Sequence, residues 1–405
     1  MNELLSSAIQ SVTQSKGAFC RFLSANDTHA TGGHQCGFLL PIAAYPIIFN
    51  QEKVKGENKD KMIKIRWQND MVTDSRMTYY GKAKNELRIT RFGNDFPYLA
   101  EDHVGDLLII SKQTDDDYEG FVLSTEDDID TFMLHFNLAA DRPNQIIDVT
   151  NIVNVKNEST SLQAAIDEAI KDLVDFPQTS EMGKMAQELY NKLNKINKEG
   201  ICQSPDKILL NWYDTELSMF RSLEEKVYNP IYTKPFADCQ SLIEFSNKIL
   251  NRRKSRAGKS LEHHLSAIFT AKELIFEEQA VTENNKKPDF LFPNSICYHN
   301  FEFPTEDLTV LGAKTTCKDR WRQVINEADR VDEKFLFTLQ QGISKNQLKE
   351  MTDENVKLVV PASHIDSYPK EYQESLNTLS GFIEIVKEKQ EHMPKHYLIH
   401  ESKLF

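Results

Sequence analysis

With 405 residues, the chain is longer than one hydrophobic core usually supports, so we expect two domains. Hydrophobic residues make up 40% and charged residues 27% of the sequence, and no apolar run approaches the roughly 20 residues of a membrane span, so we expect no membrane partner. The net charge of −13 counts only weakly against nucleic acid, because eleven acidic residues and one lysine fall within residues 101–130.

The first residues predict a short amphipathic helix rather than a targeting segment. Leu4, Leu5, Ile9 and Val12 follow helical spacing, and the segment lacks the basic flank and apolar core of a signal peptide. The six cysteines are at least 16 residues apart and form no zinc-binding spacing. A reduced protein of the cytosol, without a structural metal, fits this pattern.

Residues 20–155 predict a β-rich domain of barrel or sandwich type. They contain short apolar stretches separated by turn residues, among them MIKIRW, MTYYGK, LRITRFG, DLLIISK and GFVLST. Residues 160–200 then predict helix, because apolar side chains recur there at spacings of three and four from Leu162 to Leu173. The polar stretch 191–206 is the expected hinge between domains.

From about residue 208 the predicted elements are longer. We expect helices at 208–227, 240–251 and 259–275, then strands at 289–292 and 308–315 and a helix from about 319 to 331. Next come a strand at 335–339, a helix at 345–351, a strand at 356–360 and a last helix over 369–389. Strands that alternate with helices predict a mixed or parallel sheet covered on both faces.

A basic run lies between two of these helices. Residues 251–260 carry five positive charges and no negative one. Electrostatic steering of nucleic acid acts through such local patches rather than through the net charge, so the negative total does not exclude a nucleic-acid partner.

Asp289 and Lys314 are candidate members of a metal-dependent phosphodiesterase centre. Asp289 heads an apolar strand, and Lys314 lies 25 residues later on the next strand. Carboxylates hold Mg²⁺ in such centres, and a cation stands near the attacking water or the scissile phosphate. Taken alone this pair is common by chance, and the alternative is a strand-end aspartate with a solvated lysine.

The second acid of the centre is displaced in this sequence. Nucleases of this class often carry an acid two residues before the lysine, and Gly312 occupies that position. Arg320, Gln323 and Glu327 share one face of the helix predicted at 319–331. Glu327 is therefore expected to reach the centre from the helix instead of the strand.

Several longer stretches resemble the EcoRII-type restriction endonucleases, the type IIE family that recognises CCWGG. They are residues 21–35, 85–93, 251–262 (NRRKSRAGKSLE), 285–293 (NKKPDFLFP), 314–323 (KTTCKDRWRQ), 335–340 and 358–363. The resemblance covers most of the chain, whereas residues 101–250 match poorly. It implies a multidomain α+β and α/β protein with an N-terminal β-rich DNA-binding pseudobarrel and a C-terminal restriction-endonuclease-like core of the PD-(D/E)xK type.

The resemblance also implies the catalytic residues. Asp289, Lys314 and Glu327 fall at the catalytic positions, and Lys318 falls at a further active-site position. Glu262 matches a helix glutamate that joins the metal site, so the implied Mg²⁺ ligands are Asp289, Glu327 and Glu262. The alternative for Glu262 is that Ser260 to Glu262 merely begin a helix.

A recognition triplet is implied at Lys318, Asp319 and Arg320, with Arg322 as a further DNA-binding residue. Arginine can bond bidentately to guanine and aspartate can accept from cytosine, so these residues would recognise the C·G pairs of the site. The alternative is an exposed charged helix start with Asp319 as its cap. Relatives flip the central bases, and Trp212, Tyr213 and Arg221 are candidates for holding them, although core packing explains Trp212 equally well.

In the N-terminal domain the resemblance implies two arms that grip the major groove. The first consists of Arg21, Ser24, Asn26, Thr31, His34 and Gln35. The second includes Lys82, Lys84, Asn85, Glu86, Arg88, Thr90 and Arg91. Amide and guanidinium groups supply base-edge donors, and lysines supply phosphate contacts. From composition alone the first arm is only a polar loop with a Gly-Gly turn.

These features predict an effector-binding domain at 1–165, a helical linker at 166–206 and a catalytic domain at 207–405. The expected protein is a cytoplasmic, Mg²⁺-dependent homodimer of a bacterial or archaeal cell that cuts both DNA strands. Its N-terminal domain would bind an additional site and restrain catalysis, and a cognate methyltransferase would act on the same site without needing to bind. The alternatives are a DNA-binding regulator with an inactive nuclease domain and a methyltransferase, although no G-x-G loop accompanies the NPIY stretch at 229–232.

Overall fold

The chain folds into two units that are not simply its two halves. The computed structural model describes residues 2–28, 37–51, 53–54, 56–82, 84–93, 95–142, 144–147, 160–318, 320–393 and 397. The first unit comprises Met1–Val155, Gln340–Lys349 and Asp366–Glu374. The second comprises Lys156–Leu339, Glu350–Ile365 and Ser375–Phe405. Two short segments from late in the sequence therefore fold with the N-terminal unit.

An eight-stranded, mainly antiparallel sheet forms the first unit, in the order β2-β5-β4-β3-β7-β6-β1-β8. Its strands are β1 Ala18–Phe22, β2 Phe38–Leu40, β3 Asn58–Trp67, β4 Val72–Tyr80, β5 Glu86–Thr90, β6 Leu107–Lys112, β7 Asp117–Leu123 and β8 Asn144–Ile147. Along β3, buried Ile63, Ile65 and Trp67 alternate with exposed residues, as a strand with one solvated face requires. The predicted β-rich, barrel-like domain is confirmed.

Within the described residues up to 147, three α-helices accompany this sheet: α1 Glu3–Gln14, α2 Tyr45–Phe49 and α3 Glu126–His135. The Asn2 side chain caps α1 by accepting from the Leu5 backbone N–H. Leu5, Ala8 and Val12 bury one face of α1 in an apolar cluster that also contains residues of α3 and of strands β1, β6 and β7. The helical spacing predicted from the sequence therefore forms a real helix.

The late segments are bonded into the first unit through buried amides. The side chain of Gln340 donates to the Gly105 carbonyl at 3.1 Å, and that of Gln341 donates to the Asp141 carbonyl at 3.0 Å. The Ala25 N–H donates to the carbonyl of Ser367 at 3.2 Å. Gly105 has φ +87°, and a Cβ there would collide with the carbonyl of Gly342. The two backbones approach too closely for a side chain.

A six-stranded mixed sheet forms the second unit, in the order β14-β13-β12-β11-β10-β9. Its strands are β9 Glu277–Glu278, β10 Phe290–Phe292, β11 Thr309–Lys314, β12 Lys334–Thr338, β13 Val356–Val360 and β14 Asn377–Thr378. Strands β9 to β11 pair antiparallel, and β11 to β14 pair parallel. Phe290 and Phe292 enter one apolar cluster and Leu291 enters another, so both faces of the sheet are covered.

Ten helices follow in the rest of the described chain, and of these α12 and the first turn of α11 belong to the first unit. They are α4 Thr160–Ile170, α5 Thr179–Asn194, α6 Lys198–Gln203, α7 Pro205–Tyr232, α8 Cys239–Ala271, α9 Ser295–His299, α10 Trp321–Ile325, α11 Lys345–Asp353, α12 Lys370–Gln373 and α13 Leu379–His392. None of the described helices combines the length and apolarity that crossing a membrane requires.

Four helix predictions were wrong. The helices expected at 240–251 and 259–275 are the single helix α8, because buried Arg253 and Arg256 continue its inner face across the expected gap. The stretch 191–206, which belongs to the expected helical linker, is largely helical, in α5, α6 and the start of α7. The helix expected at 319–331 contains only the five residues of α10. The last helix is divided into α12 and α13 by the short strand β14.

Candidate active site

Asp289 and Lys314 meet at the ends of two paired strands. Asp289 directly precedes β10, Lys314 ends β11, and the antiparallel register pairs Phe290 with Leu311. The Ala313 backbone N–H donates to Asp289 Oδ2 at 2.8 Å, and Lys314 Nζ lies 3.6 Å from the same oxygen. Sheet pairing therefore places the cation beside the carboxylate. Lys314 is partly exposed at this position, beside Asp289.

The other oxygen of Asp289 is held by a residue that sequence analysis missed. Gln279 Nε2 donates to Asp289 Oδ1 at 3.0 Å. Asp289 is only 8% exposed, so its carboxylate is oriented by an amide, a backbone N–H and an ammonium rather than by bulk water. Gln279 lies in a polar stretch of the sequence that gave no signal of this contact.

Glu327 lies close enough to this pair to interact with both charges. Burial raises its pKa to about 7, and the negative charge of Asp289 adds to that effect, while the positive charge of Lys314 opposes it. Glu327 Oε2 is buried and has no hydrogen-bond partner in the described part of the chain. A buried carboxylate oxygen without a donor is costly, which suits a group that awaits a proton or a cation.

The predicted placement of Glu327 on a helix was wrong. Helix α10 ends at Ile325, Asn326 is its C-terminal cap, and Glu327 follows in the next turn. The Glu327 N–H still donates to the Val324 carbonyl at 3.1 Å. Its own carbonyl accepts from Thr282 Oγ1 at 2.6 Å. Thr282, a second residue that the sequence gave no reason to select, therefore anchors Glu327 outside the helix.

Glu262 approaches the centre from α8. Burial raises its pKa, a bond from Lys259 opposes the shift, and the charges of Asp289 and Lys314 also act on it. Lys259 Nζ lies 2.7 Å from Glu262 Oε2. The alternative that residues 260–262 merely begin a helix is wrong, because α8 runs from Cys239 to Ala271.

These carboxylates suit a hard divalent cation. Mg²⁺ takes oxygen ligands, binds through one or two carboxylates and keeps several waters. Within the described residues no three His, Cys, Asp or Glu side chains are already gathered closely enough to hold a metal. Asp289, Glu327 and Glu262 are instead coupled electrostatically, and the unpartnered Glu327 Oε2 is available as a ligand. The residues present fit Mg²⁺ with water completing its shell.

The acid expected two residues before the lysine is absent for a steric reason. A Cβ at Gly312 would lie 2.7 Å from Val324 Cγ2 and 3.5 Å from Leu336 Cδ1. Val324 is fully buried on α10. The space that an aspartate or glutamate would need at position 312 is therefore filled by the helix that leads to Glu327.

The implied recognition triplet is only partly described. Lys318 is buried and Arg320 is partly exposed at the N-terminal cap of α10, where its side chain makes no capping bond, whereas Asp319 lies outside the described residues. Arg322 is exposed, pairs with Glu350 at 2.5 Å and stacks 4.6 Å from the Trp321 ring. The DNA contacts of these residues stay predictions.

Two of the five basic residues in the run 251–260 are buried. Arg253 is buried and forms a two-point ion pair with Glu224, with distances of 2.9 Å and 2.7 Å. Arg256 is buried and stacks on the rings of Tyr213 and Phe220. Trp212 and Tyr213 are themselves core residues. Much of the run therefore serves packing within α7 and α8.

Two of the predicted first-arm residues of the N-terminal unit point inward. Arg21 lies 2.6 Å from Asp27 and donates to Asn144 at 2.7 Å, and Ser24 Oγ donates to Asp27 at 2.7 Å. Asn26 is exposed, whereas Thr31, His34 and Gln35 lie outside the described residues. Contact of Arg21 or Ser24 with DNA would require these internal bonds to be exchanged.

More of the predicted second-arm residues lie on the surface of the first unit. Leu87 and Ile89 of β5 are buried, so Glu86, Arg88 and Thr90 lie on the outward face. Arg88 Nε donates to Glu86 at 3.2 Å, and the Tyr79 hydroxyl donates to Asn85 at 2.9 Å. Lys82, Lys84, Asn85 and Arg91 are exposed around this strand. The structure thus groups these residues without testing what they bind.

Comparison with known proteins covers both units. Residues 12–140 match the family described as "Restriction endonuclease EcoRII, N-terminal", and residues 220–383 match "EcoRII C terminal". Type II restriction enzyme EcoRII of Escherichia coli is 34% identical over 385 residues, which cover 90% of this chain and 92% of that protein.

Two solved nucleases show a weaker likeness in structure. Metal-depleted Ecl18kI in complex with uncleaved, modified DNA has a TM-score of 0.44 at 17% identity, over 57% of this chain and 84% of that one. The PspGI–substrate DNA complex has a TM-score of 0.44 at 15% identity, over 55% and 96%. The two family matches and the 34% identity over nine-tenths of the sequence show that this chain belongs to the EcoRII family of type II restriction endonucleases and is a site-specific deoxyribonuclease.

Proposed function

We propose that the chain makes Mg²⁺-dependent double-strand cuts at a CCWGG-like site, with Asp289, Lys314 and Glu327 as its catalytic residues. The observation that carries this proposal is the set of groups around Asp289. Lys314 stands 3.6 Å from its carboxylate, and the half-buried Glu327 interacts with both charges. Membership of the family supplies the reaction, and this cluster is where its chemistry fits best.

The residues divide the work by their charge and position. Bound Mg²⁺ would polarise the phosphate and help to generate hydroxide. Asp289 and Glu327, with Glu262 from α8, would hold the ion. Lys314 would orient or deprotonate the attacking water and offset the charge that develops on the phosphate. Lys318, which is buried and lies shortly after Lys314 in the sequence, is a further candidate at this centre.

Target recognition is assigned to the segment after β11. Lys318, Asp319 and Arg320 would contact the C·G pairs, and Arg322 would contact DNA beside them. Because the segment follows Lys314 directly, base contacts would be joined to the cutting residues by a few covalent bonds. A symmetric site is recognised most simply by a two-fold symmetric protein, so we propose a homodimer in which each subunit cuts one strand.

A cavity in the helical part of the second unit suits an unstacked base. It has a volume of about 360 Å³ and is lined by Phe176, Pro177, Thr179, Met182, Phe220, Lys248, Asn251, Arg252, Ser255 and Arg256. Rings and guanidinium groups are the side chains that stack on flipped bases. We therefore assign the flipped central base to this cavity rather than to Trp212, which is core.

For the N-terminal unit we propose binding of an additional copy of the site and restraint of catalysis until that copy is bound. The outward residues of β5 and the exposed groups beside it are suitable for the groove. The enzyme would act in the cytoplasm of a bacterial or archaeal cell, where a cognate methyltransferase modifies the same site. No described residue favours the alternative of a regulator with an inactive nuclease.

Cleavage of plasmids with one and with several CCWGG sites tests the proposal. The wild type should cut in Mg²⁺, should stop in EDTA and should prefer the multi-site plasmid. Asp289→Ala should bind the site without cutting it. The control Asp172→Ala, which replaces an exposed aspartate outside the proposed centre, should cut normally. Cutting by Asp289→Ala would remove the catalytic assignment. Equal rates on both plasmids would remove the restraint.

A further inference from the structure

The segment from Gln279 to Thr282 contacts Asp289 through its carboxylate and Glu327 through its backbone carbonyl. Gln279 follows β9 with a left-handed backbone, φ 51°, which costs a non-glycine residue about 1–2 kcal/mol. In that conformation its N–H donates to the Asp289 carbonyl at 3.2 Å and its side-chain amide donates to Asp289 Oδ1 at 3.0 Å. Backbone and side chain of one strained residue thus hold a single aspartate.

Thr282 performs a similar task for Glu327. Its buried hydroxyl donates to the Glu327 carbonyl at 2.6 Å, and its own N–H donates to the Lys286 carbonyl at 2.9 Å. Since α10 ends two residues before Glu327, the helix alone does not fix this residue. The threonine hydroxyl is the long-range bond that ties the backbone of Glu327 to the loop.

We propose that residues 279–282 are a positioning segment that sets Asp289 and Glu327 at the separation that a divalent cation requires. Four residues span at most about 14 Å, so fixing both ends of the segment limits how far the two acids can separate. Gln279 orients the carboxylate itself, whereas Thr282 fixes the backbone from which Glu327 extends. This inference rests on the proposed catalytic role of Asp289 and Glu327.

Two variants remove these side-chain donors with little change in shape. Gln279→Met keeps the length of the side chain without its donor, and Thr282→Val keeps the branching without the hydroxyl. Thr282→Ser restores the hydroxyl. Matched controls remove a similar bond elsewhere: Gln240→Met, where the amide bonds Glu244, and Thr233→Val, where the hydroxyl bonds the Asn229 carbonyl.

The first measurement is Mn²⁺ binding to the full-length, metal-free protein, detected by electron paramagnetic resonance. The second is the Mg²⁺ dependence of single-turnover cleavage. Groups that orient a metal-ligating carboxylate contribute roughly 10–100-fold to metal affinity or activity. Gln279→Met and Thr282→Val should therefore weaken Mn²⁺ binding by about 10-fold and raise the half-saturating Mg²⁺ concentration similarly. Excess Mg²⁺ should recover most of the rate, and Thr282→Ser and both controls should match the wild type.

Unchanged Mn²⁺ binding in Gln279→Met and Thr282→Val would overturn the inference. So would losses that follow only the folded fraction, measured by thermal unfolding of the same samples. Failure of the proposed function has a different signature, because Asp289→Ala would then still cut DNA. If Asp289→Ala is inactive while Gln279→Met keeps wild-type metal dependence, the centre stands and only the positioning role is lost.

Discussion

Replacing Gly312 by alanine should disturb the packing of β11 against α10. The new methyl group would lie 2.7 Å from Val324 Cγ2, closer than carbon atoms approach in folded proteins, and Val324 and Leu336 are both fully buried. Overpacking of this kind costs about 1–3 kcal/mol, and exchanging glycine for alanine inside a strand returns roughly 0.5–1 kcal/mol. We expect a net loss of roughly 1–2 kcal/mol in the free energy of unfolding.

A second substitution tests the cause. Val324→Ala alone removes two buried carbon atoms and should cost roughly 2 kcal/mol. In the double variant the alanine methyl at 312 enters the vacated space, so the combined loss should fall short of the sum by about 1 kcal/mol. Urea unfolding followed by tryptophan fluorescence is the assay, because Trp212 and Trp321 both lie in the second unit. Wild-type stability in Gly312→Ala, or additive losses, would refute the steric argument.

Three further substitutions test acids that are held by several internal partners. Burial raises the pKa of Glu216, but the bond and charge of His264 and the charge of Arg256 outweigh this effect, so the pKa lies below the usual value. The ionised Glu216 therefore stabilises the fold above about pH 4.5, and this contribution is lost as the pH falls through the lower pKa of the folded state. Glu216→Gln should therefore lose stability at neutral pH. Its free energy of unfolding in urea should also change less with pH between pH 3 and pH 7 than that of the wild type, and an unchanged pH dependence would contradict the argument. Asp27→Asn removes the carboxylate that pairs with the buried Arg21 and should cost about 3–5 kcal/mol in the first unit. Thermal unfolding checks this, and an unaltered midpoint would be the contrary result. Asp206 accepts three backbone N–H groups, from Ala362, Leu379 and Ser380, so Asp206→Asn should cost about 1–3 kcal/mol in urea unfolding, and a neutral effect would mean that water replaces the lost acceptor.

Strand predictions succeeded where a short apolar run is closed by turn residues. Strand β13 was predicted at 356–360 and forms there, because a buried parallel strand needs an apolar run that little else in a protein can accommodate. The predicted length of α10 failed for a reason outside its own sequence. The Thr282 hydroxyl donates to the Glu327 carbonyl, and the Arg330 guanidinium donates to the Asn300 carbonyl at 2.8 Å. Residues after 325 are therefore bonded to partners distant in sequence instead of continuing the helix.

The candidate site divides along the same line. Asp289 and Lys314 could be predicted because each adjoins a strand, and strand pairing brings such residues together. Gln279 and Thr282 could not, because their contacts depend on a left-handed turn and on a loop path that no periodicity encodes. At 251–260 the sequence does not show which charged residues are buried. Arg253 is buried because it pairs with Glu224 on another helix, α7.

The first unit contains Gln340–Lys349 and Asp366–Glu374, and this has a consequence for the order of events during synthesis. Residues 1–155 leave the ribosome long before those segments exist, so Gly105 must wait for Gly342 before the backbones can close. The nascent N-terminal unit is therefore incomplete until most of the nuclease sequence has been translated. A gene fragment that ends before residue 374 would encode neither unit in full. No single cut in the coding sequence therefore yields two fragments that each encode one complete unit.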